Sequence, residues 1–180
     1  MKLLRHLGCL CWLCGALAAF SLPGYAAPTT RLEAAFSPGE AGEALVLKAI
    51  GNARHTLWMA AYAFTSKPVA QALLTAKKRG VEVLVVADAS QLKDPYSVIG
   101  WLAARGIAVR IDHKHAIQHN KYLVIDNATI QTGSYNYTSS AKLRNGENVL
   151  VIWHAPPDIV SGYARDFRKH WGHAQKYRRR

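Results

Sequence analysis

From residue 32 onward, short apolar runs alternate with stretches in which apolar residues recur every three or four positions. TLWMAAYAF (56–64) and VEVLVVAD (81–88) are apolar almost throughout, which predicts strands covered on both faces. Further strands are expected at 32–38, 107–112, 121–126, 129–132 and 147–153, with 121–126 and 129–132 forming a hairpin across Asn127 and Ala128. Ala44, Leu47 and Ile50 lie at helical spacing and predict a helix over 41–53. Ser66, Lys67 and Pro68 open a second helix that runs to Lys78 and stops at Gly80. Two more are expected at 97–105 and 157–171, with a short one in YTSSAK (137–142). Strands alternating with helices of this length imply an α/β layered sandwich. Its central sheet would be mixed and mostly parallel, covered by helices on both faces. There is no repeat and no low-complexity linker, so residues 27–180 read as one domain.

The first 26 residues stand outside that pattern. Lys2 and Arg5 precede an apolar run over 7–22, and SLPGYAA then places small residues at Gly24 and Ala26. This is the layout of a secretory signal cut after Ala26, and the run is short for a spanning helix. The expected location is periplasmic or secreted; an uncleaved membrane anchor is the alternative. Cys9, Cys11 and Cys14 all fall within this segment, so the mature chain would carry no thiol.

Charge changes the picture more than composition does. The full chain has a formal net charge of +12, and without Lys2 and Arg5 there remain 21 basic residues against 11 acids, or +10. Such an excess points to a polyanion, either nucleic acid or an acidic membrane surface. Residues 165–180 hold seven of these cations against the single acid Asp166. With Trp171 and Tyr177 interleaved, this basic tail could follow a phosphate backbone and offer stacking surface.

The candidate chemistry lies in HNKYLVIDNATIQTGSYNYTSS (119–140). On an extended backbone His119 and Lys121 project to one face, while Tyr122, Val124 and Asp126 take the other. An imidazole beside an ammonium suits attack on a phosphodiester: the histidine acts as nucleophile or proton shuttle, and the lysine neutralises the phosphate oxygens. Asp126 has the wrong parity to join them and is expected to brace the strand end or neighbouring backbone. Gly133, Ser134 and Asn136 then form a turn before a helix start, a combination that can cradle an oxyanion. Glu147 opens the next strand and could accept the second imidazole N–H of His119. At about 5% per residue type, H-x-K-x4-D alone occurs by chance in ~2% of chains this long. Joined to G-S-x-N six residues later, it falls to about two in a million.

His119, Lys121 and Asp126, continued by Gly133, Ser134 and Asn136, resemble the HKD signature of the phospholipase D superfamily. The similarity extends through AFSPGEAGEALVLKAI, WMAAYAFTSKPVAQALLTAKKRGVEVLVVAD and ENVLVIW to the small secreted bacterial endonucleases of that superfamily. The resemblance implies a phospholipase D-like fold and a phosphohistidine mechanism with no metal and no cofactor. It makes His119 the nucleophile or acid, has Lys121, Ser134 and Asn136 hold the phosphate, lets Glu147 orient His119, and leaves Asp126 supporting. Members bring two HKD motifs to one centre, whereas this chain has one; His113-Lys114-His115 is a near miss with the wrong spacing. Small members answer this by pairing two copies, so a homodimer is expected. The expected activity is a nonspecific endonuclease on DNA, with RNA as a further substrate class. A phospholipase D or phosphatidyltransferase acting on lipid head groups is the alternative. A basic binding module without catalysis is a third reading, and the intact His119 and Lys121 argue against it.

Overall fold

The computed structural model describes residues 28–178; the expected secretory signal lies outside the described residues. Among the described residues, no helix is long and apolar enough to cross a membrane. The chain begins with β1 (Arg31–Ser37), α1 (Glu40–Asn52), β2 (Thr56–Ala61), α2 (Lys67–Lys78) and β3 (Glu82–Asp88). A 3₁₀ turn over Ala89–Leu92, α3 (Ile99–Ala104) and β4 (Ala108–Asp112) follow. The second half holds β5 (Tyr122–Ile125), β6 (Thr129–Gly133), α4 (Ser139–Leu143), β7 (Glu147–Trp153), α5 (Pro157–His173) and β8 (Gln175–Lys176).

All eight strands form one sheet in the order β1-β7-β6-β5-β2-β3-β4-β8. The sheet is mixed, as expected, but not mostly parallel. Only β2–β3 and β3–β4 pair in parallel, through the crossovers α2 and α3. The β5–β6 hairpin and the returns of β7, β1 and β8 run antiparallel to their neighbours. Short turns and long-range returns, rather than helical crossovers, set those directions.

Strand alternation divides the core in two. Leu57, Met59, Val83, Val85, Leu123 and Ile125 face α1, α2 and α3, where they meet Val46, Ile50, Leu73 and Leu102. The intervening Ala60, Val86, Tyr122 and Val124 face α5 and its Val160, Ala164 and Phe167. Helix α2 starts where the sequence signals it: the Ser66 hydroxyl accepts from Val69 N–H at 3.3 Å and donates to buried Glu43 at 2.8 Å. Helix α5 is fixed by a pile of rings, with Trp58–Phe167 centroids 5.3 Å apart and Phe167–Trp171 5.8 Å. Arg110 lies over Trp171 at 4.5 Å and Arg168 over Trp58 at 5.6 Å.

This packing corrects the reading of the tail. Trp171 belongs to the pile, and Tyr177 packs into the main core while its N–H bonds to Val109 C=O at 2.9 Å. Both rings are committed to packing within the fold and only partly exposed, not free along an extended tail. Strand β8, two residues long and paired with Arg110 and Ile111, is too short to leave a sequence pattern.

Candidate active site

The loop from β4 to β5 carries His119, and two carboxylates at strand ends fix its path. Asp88, at the end of β3, accepts from the N–H of Gln118 and of Ser90, each at 2.8 Å. Asp112, at the end of β4, accepts from Lys114 N–H at 2.8 Å. Buried Gln118 then takes the Asn120 N–H at 2.7 Å. The backbone is thus held on both sides of His119, which presents an exposed ring from an anchored main chain.

Because β2, β5, β6 and β7 are antiparallel neighbours, the end of β2, the start of β5, the end of β6 and the start of β7 meet at one sheet edge. An open cleft of about 830 Å³ lies there. It is lined by His119, Lys121, Ser134, Asn136 and Glu147, and on the α5 side by Tyr163 and Asp166. The structure brings together every predicted site residue except Asp126.

Lys121 is buried, with its Nζ 3.0 Å from both ring nitrogens of His119 and donating to the His119 C=O at 2.7 Å. The shared face read from strand parity is therefore a direct contact. Tyr62 flanks the pair, its ring 4.5 Å from the His119 ring and 5.1 Å from the Lys121 Nζ. Burial pushes the Lys121 amine below the usual lysine value, and the Glu147 carboxylate works against that shift.

Among the described residues Glu147 makes no hydrogen bond to His119, contrary to the expected imidazole bond. Its oxygens are taken by the Ser134 hydroxyl at 2.6 Å and the Asn145 side-chain N–H at 3.0 Å. The Ser134 Oγ in turn accepts from Asn148 N–H at 3.1 Å. Glu147 thus orients Ser134 and supports the Lys121 charge. Asn136 has its Oδ1 buried with no partner among the described residues. The expected cradle from a helix start is also corrected. Thr138 caps α4 through Ala141 N–H at 3.1 Å, and the helix opens on a second cleft, which Asn136 separates from the first.

Asp126 sits at the other end of β5, about 16 Å along the strand from Lys121. Asp126 and Asn127 have φ of 52° and 48°, so the hairpin turns on this pair, one residue earlier than predicted. Short polar side chains tolerate that left-handed conformation. The Asp126 carboxylate accepts from the N–H groups of Arg54, His55 and Thr56 at 2.8, 2.7 and 2.8 Å. It fastens the hairpin to the start of β2 and does not line the cleft.

Burial acts to raise the Asp126 carboxyl, but the bonds from Thr56, His55 and Arg54 outweigh it and hold the group below its ordinary value. A carboxyl depressed on folding contributes its stability above the unfolded value of about 3.9 and loses it as pH falls through the folded one. Asp126→Asn should therefore cost about 2–3 kcal/mol at neutral pH. The gap to wild type should narrow as pH falls below about 4. Thermal melts of both proteins across pH check this; a gap that stays constant rules out the ionic bracing.

Tyr62, Asp88 and Gln118 were not among the predicted site residues. A signal existed for Asp88: VEVLVVAD and IAVRID both close an apolar run with Asp, at the edge where the site forms.

Residues 46–171 match the domain family described as cardiolipin synthase, PLD-like domain. The chain is 36% identical over 138 residues to a phospholipase D of Rickettsia bellii, covering 77% of this chain and 68% of that protein. It is 33% identical over 144 residues to a mitochondrial cardiolipin hydrolase of Xenopus laevis, covering 80% and 64%. Among solved structures, Nuc from Salmonella typhimurium, a phospholipase D family member, superposes with a TM-score of 0.80 at 35% identity. That match covers 84% of this chain and 100% of the other. NucT from Helicobacter pylori shares the fold, with a TM-score of 0.75 at 22% identity.

Proposed function

The chain belongs to the phospholipase D superfamily, and from that premise we propose that it is a phosphodiesterase that cleaves nucleic acid without a metal in the bond-breaking step. The observation that carries this reading is the His119–Lys121 pair, held together at the wall of an open cleft with Ser134, Asn136 and Glu147. A chain with one motif supplies one histidine, and the two-step chemistry uses two. The proposal therefore includes a two-fold homodimer in which both copies of His119 face one phosphate.

In the first step His119 of one chain forms a bond to phosphorus as the bond to the leaving oxygen breaks. The partner subunit's His119 gives that oxygen its proton. The partner's His119, now neutral, then takes a proton from water as the water oxygen attacks phosphorus and the P–N bond breaks. Lys121 from each side meets the charge on the non-bridging oxygens, and Asn136 lies within the same cleft. Nucleic acid is favoured as substrate by the +10 mature charge and by the exposed Arg165, Arg168, Lys169 and Lys176 along α5 and β8. The mature protein is proposed to act in the periplasm or outside the cell.

The lipid reading has its own support, since relatives bear the names phospholipase D and mitochondrial cardiolipin hydrolase. One paired assay separates the two. Purified mature protein in excess EDTA should cut both single- and double-stranded DNA and release no head group from phosphatidylcholine or cardiolipin vesicles. Head-group release without DNA cleavage would transfer the assignment to lipid. Cleavage that begins only when a divalent metal is added would overturn the mechanism.

A further inference from the structure

Beside the cleft, three imidazoles converge on one carboxylate oxygen. Asp112 is fully buried, and its Oδ2 lies 2.9 Å from His115 Nδ1, 2.8 Å from His170 Nδ1 and 3.0 Å from His173 Nε2. The three ring centroids stand 4.9 to 5.4 Å from one another. Such an oxygen has room for about two hydrogen-bond donors, so three ring N–H groups overfill it. The other oxygen is already occupied by the backbone N–H groups of Lys114 and His115. Burial alone would raise this carboxyl, but the bonds from His173, His170, His115 and Lys114 hold it far below the ordinary carboxylate range. It is an anion facing three nitrogens.

Three imidazole nitrogens and a carboxylate oxygen are a ligand set suited to zinc and its borderline neighbours. All four donor atoms lie within 4.8 Å of one another. Tetrahedral bonds of about 2.0–2.1 Å separate ligands by about 3.4 Å, so an ion is admitted when the carboxylate oxygen moves out by a few tenths of an ångström and the nitrogens furthest apart close in around it. The outer support is also present. The far nitrogen of His170 lies 3.5 Å from Asp166, which accepts the Tyr122 hydroxyl at 2.7 Å.

We propose that Asp112, His115, His170 and His173 form a tetrahedral site for one zinc-type divalent cation, which clamps the end of α5 to the loop leading to His119. Asp112 and His115 flank the start of that loop, and His170 and His173 lie in the last turn of α5. None of the four lines the cleft, so the ion is structural and takes no part in phosphoryl transfer. The two pairs each have i,i+3 spacing, which puts both members on one side of a turn.

The test does not depend on which phosphodiester is cut. Full-length mature protein, stripped with chelator and dialysed, should take up one equivalent of Zn²⁺ and gain roughly 5–10 °C in melting temperature. Co²⁺ in its place should give the visible absorption of a four-coordinate site. His115→Gln and His173→Gln, at positions that are not fully buried, should fold and bind Zn²⁺ about 100-fold or more weakly. Whichever phosphodiester the wild type cuts, its cleavage assayed well below the transition should persist in both. No uptake and no shift would overturn the proposal. So would uptake that is equally tight in the two variants, since other histidines would then hold the metal.

Discussion

His119→Ala should lose phosphodiester cleavage by about 10⁴-fold or more while melting within a few degrees of wild type. The fold survives because His119 is exposed, and its loop is held by Asp88 and Gln118 rather than by the imidazole. The activity falls so far because, in the proposed symmetric pair, one substitution deletes both the nucleophile and the proton donor. Mixing makes the argument quantitative. When the variant and wild type are co-refolded in equal amounts, activity should drop to about a quarter if two copies build one centre, and to about half if each chain acts alone. A linear decline with variant fraction would eliminate the shared site. Retained cleavage in the pure variant would eliminate the nucleophile assignment.

Gly133→Ala should be severely destabilising, at about 3–5 kcal/mol. Gly133 has φ of +144°, and a Cβ placed there would lie 2.2 Å from the Asn148 carbonyl oxygen and 2.9 Å from its Oδ1. The carbonyl is backbone within the β6–β7 ladder, where Gly133 pairs with Val149, so it cannot turn aside. The strands must part at the residue before Ser134, whose hydroxyl is set by Glu147 and Asn148. The melting temperature should fall by roughly 10–15 °C. The folded fraction should cleave about 100-fold more slowly, since a displacement near 1 Å is enough for that loss. A variant that melts and cleaves like wild type would show that this approach is no constraint.

The glycine illustrates what the sequence could and could not convey. G-S-x-N advertised a turn, but the requirement for glycine comes from Asn148 on the neighbouring strand, a contact invisible along the chain. The elements themselves were legible, because apolar runs and helical stripes are local properties: α2 begins after its Ser66 cap and ends at Lys78 as read. Strand direction was not, since it depends on how distant segments return. The His119–Lys121 contact followed from two-residue periodicity. The Glu147 carboxylate was assigned to His119 because the partners that claim it, Ser134 and Asn145, look like ordinary turn formers in a sequence. Trp171 and Tyr177 read as free rings only while the sheet they pack against was unknown. His115 was noticed as part of a failed motif, and its companions His170 and His173 reach it only through the docking of α5.

The pairing of β1 with β7 reaches into the chain's synthesis. Arg31 lies opposite Trp153 and Ser37 opposite Glu147, so the first strand to be made has no neighbour until almost the last one exists. Topologies dominated by such distant pairings fold slowly. Through that interval Leu32 and Phe36, still largely exposed in the finished sheet, sit on an open edge that another chain could join. A nascent chain halted before residue 147 would leave β1 without a partner and β6 paired only to β5, and aggregation through those two open edges would be the cost of placing the first strand beside the seventh.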